Sequence, residues 1–252
     1  MPSSSPTPRG KFIVFEGIDG SGKRTQLELL SAELTKRGIA HERIDFPQYQ
    51  GFFGRLIADY LNGKFGTLAA VDPHFSALLY AGDRLESKPK LEAALASGNI
   101  LLADRYIASN LAHQSARVPA EKRDEFMQWL TRLEYEIYGL PKEDAVIYLQ
   151  VPASRAHHLI EKKGARDYTA KSKDLHEADL AHLSSASDVY ASLAKQPHWI
   201  TINCLGAGQS HNELRVPQEI FRDVYSQLES KLLGSSRHTE TQSVSRSSTH
   251  NP

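Results

Sequence analysis

Residues 11–26 read KFIVFEGIDGSGKRTQ, and this stretch decides the fold. Its first half, through Phe12 and Phe15, is a short apolar run of strand length, the pattern of a strand buried on both faces. Its second half spaces Gly17, Gly22 and Lys23 as G-x-x-x-x-G-K. Residues 23–37 follow with Leu27, Leu29, Leu30 and Leu34 and close on Arg37-Gly38, a basic last turn and a glycine stop. Between a strand and a helix, that glycine spacing has a mechanism. The amides of Gly17, Ile18, Asp19, Gly20, Ser21 and Gly22 can converge on phosphate oxygens, and the helix start adds unpaired N–H groups and a positive dipole end. Lys23 supplies a point charge for β- and γ-phosphates, so ATP is the expected nucleotide.

The loop departs from its pattern at one place. The residue after the lysine, where a Ser or Thr normally holds magnesium, is Arg24, and the hydroxyl arrives at Thr25. Successive helical side chains point about 100° apart, so Thr25 cannot take the direction of position 24. Two readings follow. Either a metal ligand is lost, or magnesium is held by carboxylates and water while Arg24 carries transition-state charge. Asp19, Asp104 and Glu177 are the candidate carboxylates.

The strand–helix rhythm continues outward from the loop. HERIDFP (41–47), NILLADRY (99–106), DAVIYLQV (144–151) and HWITINCL (198–205) read as four more strands. Helical patterns fill the gaps, among them FGRLIADYL, FSALLYAGDRLES, EFMQWLTRLEYEIYG and VPQEIFRDVYSQLESKLL. The expected fold class is α/β. It is a three-layer, doubly wound parallel sheet of about five strands of the P-loop NTPase type, with helices on both faces and a mobile lid. One kinase-sized domain is expected over 11–234, between disordered tails at 1–10 and 235–252 that are rich in Ser, Thr and Pro. Residues 161–181, EKKGARDYTAKSKDLHEADLA, are densely charged; they read as a solvated loop or as a mobile lid over an anionic site.

Bulk properties narrow the class further. The chain has 252 residues, 40% of them hydrophobic, and a formal net charge of zero, so no global field favours nucleic acid or an anionic membrane. No apolar run approaches the roughly 18–20 residues of a membrane span, and the N-terminus lacks the apolar core of a secretory signal. A cytoplasmic protein is expected. The single cysteine, Cys204, excludes an intramolecular disulfide and lies in an apolar run as a buried, inert thiol.

Four blocks in order, FEGIDGSGKRTQ, FPQYQGFFGRLIADYLNGKFG, LLYAGDRLES and DRYIASNLAHQ, resemble those of thymidylate kinases, over about residues 11–233. Some bacterial members look similar even in having Gly-Lys-Arg-Thr, which favours a working loop. The resemblance implies transfer of the ATP γ-phosphoryl group to dTMP with magnesium, and a homodimer. It implies that Arg105 contacts the acceptor phosphate, that Asp104 helps hold magnesium, and that Asp19 accepts from the 3′-hydroxyl, with Glu177 a further candidate metal carboxylate. It further implies an acceptor pocket of Phe46, Tyr49, Tyr80, Arg84, Asn110, His113 and Gln114. In that pocket Tyr80 stacks on thymine, Arg84 reaches a base carbonyl, and Asn110 offers donor and acceptor together to the imide edge. His113 stands where an aromatic residue crowds the ribose 2′-position. In the lid, Arg166 is the best candidate for a γ-phosphate contact, with Lys171 and Lys173 nearby. Lys23, Arg24, Arg105, Arg166 and Asp19 are thus the expected catalytic set. Two rivals remain open: a kinase for another nucleotide or deoxynucleoside, and a nucleotide-dependent switch without transferase activity.

Overall fold

Every residue of β1, Phe12–Glu16, is buried, and the sheet is built around it. The computed structural model describes residues 8–156, 180–206 and 213–233. β1 lies between β3 (Ile100–Asp104) and β4 (Ala145–Gln150), with β2 (His41–Asp45) and β5 (Trp199–Asn203) outside them. The five strands run in the order β2-β3-β1-β4-β5, all parallel. The α/β expectation holds.

Period-two alternation along β1 splits the core. Phe12 and Val14 enter one cluster while Ile13 and Phe15 enter the other. The Ile13 side is covered by α1 (Lys23–Lys36), α6 (Leu180–Leu193) and α7 (Pro217–Leu228). The Phe12 side is covered by α3 (Pro73–Ala96) and α5 (Arg123–Thr131). α4 (Ile107–Ser115) serves both, with Ala108 and Ala112 in one cluster and Ile107 and Leu111 in the other. α2 (Phe52–Leu61) packs on α3 through a smaller cluster of Ile57, Tyr60, Leu61, Val71 and Leu79. Each such aliphatic or aromatic side chain contributes about 1.5–3 kcal/mol on leaving water. Cys204 is buried, and burial pushes its thiol up to about 12, as an inert core residue requires.

Parallel pairing brings the strand ends to one edge. Phe15 and Asp45 both pair in register with Asp104, so the ends of β1, β2 and β3 are level. β1 then runs into the glycine loop where the connections diverge to opposite sides of the sheet, the crevice in which open α/β sheets bind ligands.

Three expectations need adjustment. The tail expected over 1–10 is tied down at its end: Arg9 Nη1 donates to Asp144 at 2.7 Å and the Gly10 amide to the Leu95 carbonyl at 2.8 Å. α3 continues to Ala96 with Pro89 inside it, because Leu91, Ala94 and Leu95 are buried in the core and their packing offsets the lost helix bond. The pattern EFMQWLTRLEYEIYG is not one regular helix, since α5 widens at Arg132–Ile137 into a π-turn. The residues 1–7, 157–179, 207–212 and 234–252, which include most of the expected lid, lie outside the described residues.

Candidate active site

The loop after β1 is a tight cup. Gly22 caps α1 with φ 91°, in the left-handed region where a side chain is strained even though space is open around it. A Cβ on Gly17 would come within 2.8 Å of the Leu149 carbonyl oxygen, so close packing excludes one there. Inside the cup the Lys23 ammonium donates to the carbonyls of Gly17 at 2.9 Å and Ile18 at 3.0 Å. Burial lowers the Lys23 pKa to about 8, with Arg105 acting in the same sense, while Asp19, Asp104 and Glu16 oppose them.

Arg105 leaves β3 on a backbone of φ 69°, unusual for a side chain of its size. Its amide bonds the Phe15 carbonyl at 3.0 Å, which stitches the ends of β1 and β3. Its guanidinium donates to Asp19 at 2.7 Å and Ser109 Oγ at 3.0 Å, with longer approaches to Gly17 O and His113 Nε2. Burial works against its charge, yet Asp19, Tyr190, Asp104 and Glu16 hold its pKa well above the ordinary value. The structure therefore brings Lys23 and Asp19 of the glycine loop together with Arg105 from the end of β3. Asp19, expected on a sugar hydroxyl, is here the partner of Arg105.

Arg24 does not join them. Its side chain is 77% exposed on α1 and pairs with Glu28 one turn on, at 3.0 Å. That hydrogen bond is the main cause of its raised pKa. Asp45 and Asp104 act on it in the same sense. Thr25 is exposed as well. Asp104 Oδ1 is buried without a hydrogen-bond partner, a state that costs about 1–3 kcal/mol when unrelieved. Burial, and then the Asp104 charge, push up the neighbouring Asp45 carboxyl. A hard cation suits this pair, and magnesium needs only one or two carboxylates. Among the described residues no three His, Cys, Asp or Glu gather as a fuller cage. Glu177, Arg166, Lys171 and Lys173 lie outside the described residues.

The other end of the site is a locked polar network. Arg84, on α3, gives Nε and Nη2 to Glu134 at 2.5 and 2.8 Å, with side-chain exposures of 2% and 0%. Asn110 Nδ2 donates to the same carboxylate at 2.9 Å and to the Ala77 carbonyl at 3.0 Å. The expectation that Asn110 offers both functions is corrected: its donors are spent within the protein, and buried Oδ1 alone remains without a protein partner. Gln114 is corrected likewise, for its oxygen accepts from Ser76 at 2.7 Å and Arg117 at 2.9 Å to brace α4 on α3. Tyr80 meets Tyr60 edge-on at 6.5 Å. Phe46 is buried in the core beside Tyr106, and Tyr49 packs at the α2–α3 cluster. His113 is buried between Arg105 and His182, the latter at 3.3 Å.

Several supporting residues were not singled out from the sequence. Glu16 is buried at the end of β1 and accepts from the Tyr106 and Ser109 amides, Ser109 Oγ and Tyr190 OH. It caps α4 from another element and braces Ser109 beneath Arg105. The signal was present as an acid ending an apolar strand. Asp83 receives the Gln48 amide, and Glu86 the Phe52 and Phe53 amides, so α3 carries the FPQY turn. Burial raises the Asp83 carboxyl to about 6. Arg117 joins Tyr60, Ser76, Gln114 and the Leu68 and Val71 carbonyls. No sequence signal marks Arg117, because its partners are spread over α2, the α2–α3 connection, α3 and α4.

Known proteins have the same plan. The thymidylate kinase family model matches residues 15–214. The Mycobacterium tuberculosis thymidylate kinase is 32% identical over 186 residues, covering 73% of this chain and 86% of the relative. A probable thymidylate kinase of Pyrobaculum aerophilum is 32% identical over 215 residues, or 84% and 93% of the two chains. The solved thymidylate kinase of Candida albicans superposes with a TM-score of 0.68 over 88% of this chain and 92% of its own, at 22% identity, a likeness of fold. With the matched span running from the end of β1 past β5, through the cup, Arg105 and the polar network, the chain belongs to the thymidylate kinase family.

Proposed function

We propose that the chain transfers the γ-phosphoryl group of ATP to dTMP, giving ADP and dTDP. The observation that carries this reading is the juxtaposition on α4. Arg105 stands just before the helix over the phosphate cup, and Asn110 stands five positions on with a buried, unfilled acceptor. Arg105 sits before the helix start at the cup and Asn110 at about the end of its first turn, so one segment carries both a phosphate contact and a base contact. Arg105 thus addresses the acceptor phosphate, and Asn110 with Arg84 addresses an N–H next to a carbonyl, the imide edge of thymine. Tyr80, on the face of α3 that carries Arg84, supplies the ring that stacks on the base, with Phe46, Tyr49 and His113 as further walls.

An acceptor phosphate oxygen attacks the γ-phosphorus while the bond to the β-γ bridging oxygen breaks, and ADP leaves with that oxygen. No protein group needs to bond covalently to phosphorus, so the chain's work is alignment and charge stabilisation. Lys23 exchanges its two loop carbonyls for β- and γ-phosphate oxygens. Arg105, held rigidly by Ser109, exchanges Asp19 for the acceptor phosphate, and the released Asp19 carboxylate accepts from the 3′-hydroxyl. The partnerless oxygen of Asp104 supports a place for magnesium beside it, where the ion would neutralise phosphate charge. Arg24 carries transition-state charge by swinging from Glu28 across the mouth of the cup, and the lid contributes Arg166.

A second copy of this chain packs against the outer face of α3. There Phe75, Leu78 and Leu85 are exposed at helical spacing, beside Phe65. No helix among the described residues is long and apolar enough to cross a membrane.

The test is ADP production from ATP and magnesium with dTMP, dUMP, dCMP, UMP and AMP as separate acceptors. Selective turnover of dTMP is the expected result. Equal rates with dCMP would overturn the base assignment, and ATP binding without turnover on any acceptor would overturn the transferase reading.

A further inference from the structure

We infer that Glu134 is a positioning residue that sets base selection, by fixing which atoms of Asn110 and Arg84 face the nucleotide. The inference rests on the reading above of those two side chains as base contacts. Glu134 itself would touch no substrate. It is fully buried in the π-turn that follows α5, where Leu133 and Glu134 both face inward.

An amide side chain can present oxygen or nitrogen to a ligand, and its surroundings decide which. Asn110 has two neighbours on one side, the Ala77 carbonyl and the Glu134 carboxylate. The carbonyl can only accept. The carboxylate oxygens already accept two N–H groups from the Arg84 guanidinium and serve Asn110 as an acceptor too. Turning Asn110 over would set its oxygen against both acceptors. Its nitrogen is therefore committed inward, and Oδ1 is left as the buried acceptor without a partner.

The same carboxylate engages Nε and Nη2 of Arg84 and leaves Nη1 as the nitrogen it does not hold. One residue thus writes a two-symbol code, acceptor from Asn110 and donor from Arg84. Thymine and uracil answer it with an N3–H beside a carbonyl oxygen. Cytosine presents the reverse, an unprotonated ring nitrogen beside an amino group, so acceptor faces acceptor at Asn110 and donor faces donor at Arg84.

Glu134→Gln tests the code directly. The replacement keeps an oxygen for Arg84 but adds an NH₂ toward Asn110, so Asn110 can turn and show its own nitrogen. With ATP saturating, the kcat/KM ratio of dTMP to dCMP is expected to fall about tenfold or more, mainly through a higher dTMP KM. The KM for ATP should be unchanged. Glu134→Asp keeps an acceptor-only group, so its selectivity ratio should stay within about threefold of the wild type even if dTMP turnover drops. Equal loss on both nucleotides in Glu134→Gln, or collapse of selectivity in Glu134→Asp, would overturn the inference and leave Glu134 a purely structural partner of Arg84. Thermal melting separates misfolding from a kinetic effect; should Glu134→Gln not fold, the Glu134→Asp ratio decides alone. Wild-type preference for dTMP is measured first. Its absence would refute the proposed function, whereas its presence with an unmoved ratio in Glu134→Gln refutes only the role of Glu134.

Discussion

The two ends of the site solve opposite problems. At the phosphate end the cations are held by partners that a phosphate can replace: Lys23 by two loop carbonyls, Arg105 by Asp19, Arg24 by an exposed glutamate. At the base end Arg84, Glu134 and Asn110 are almost fully buried and bind one another. Phosphates are recognised by charge, which acts over distance and tolerates rearrangement. A base edge is recognised by a pattern of donors and acceptors, which requires fixed atoms. On the proposed reading, the partners are exchangeable where charge is read and fixed where pattern is read.

Changes at the base end should therefore threaten the fold, and changes at the phosphate end should spare it. Arg84→Met is expected to show the largest effect, a loss of about 3–5 kcal/mol in urea denaturation, because it leaves the Glu134 carboxylate buried and unpaired. Arg105→Ala should lower kcat with dTMP by about 10²–10³-fold while unfolding free energy changes less than in Arg84→Met, since the Asp19 left behind is partly open to water whereas Glu134 is fully buried. A melting shift as large as that of Arg84→Met would erase the contrast. Ser109→Ala removes a hydroxyl that connects Arg105, Glu16 and Tyr190, and should cost about 1–3 kcal/mol in stability and also raise the KM for dTMP. An effect on stability alone would detach Ser109 from the phosphate end.

The smaller effects sharpen the comparison. Asp83 is an acid whose pKa rises from 3.8 to about 6 on folding, through burial. The folded state binds its proton more tightly, so its contribution is fully present below about pH 4 and is lost as pH rises through about 6. Asp83→Asn should flatten that part of the stability–pH curve, read by thermal melting across about pH 3.5–7. Arg24→Ser should change stability by no more than about 0.5 kcal/mol, because an exposed i,i+4 pair contributes little. Its turnover should fall more than its ATP binding, and unchanged turnover would remove Arg24 from the reaction.

Much of the fold was legible because its signals are local. Five apolar runs became five parallel strands, and the G-x-x-x-x-G-K spacing became a cup with Gly22 in the left-handed region. Less was visible where one residue acts through another. Glu16 and Glu134 read as charges in a strand and a helix, yet each is buried by partners that lie far away in sequence. Arg24 is read from its position in the motif as a phosphate contact, whereas the structure pairs it with Glu28, one helical turn on, a partner that the motif does not mark.

By itself, then, the sequence determined the strand–loop–helix order, the phosphate cup and the family, because those depend on spacing along the chain and on which residues avoid water. Only the tertiary structure decided that Asn110 can present its oxygen alone, that Gln114 braces two helices, and that Asp19 meets Arg105. Hydrogen bonds are directional and each donor is spent once, so the role of a polar side chain is settled by the atoms that surround it after folding.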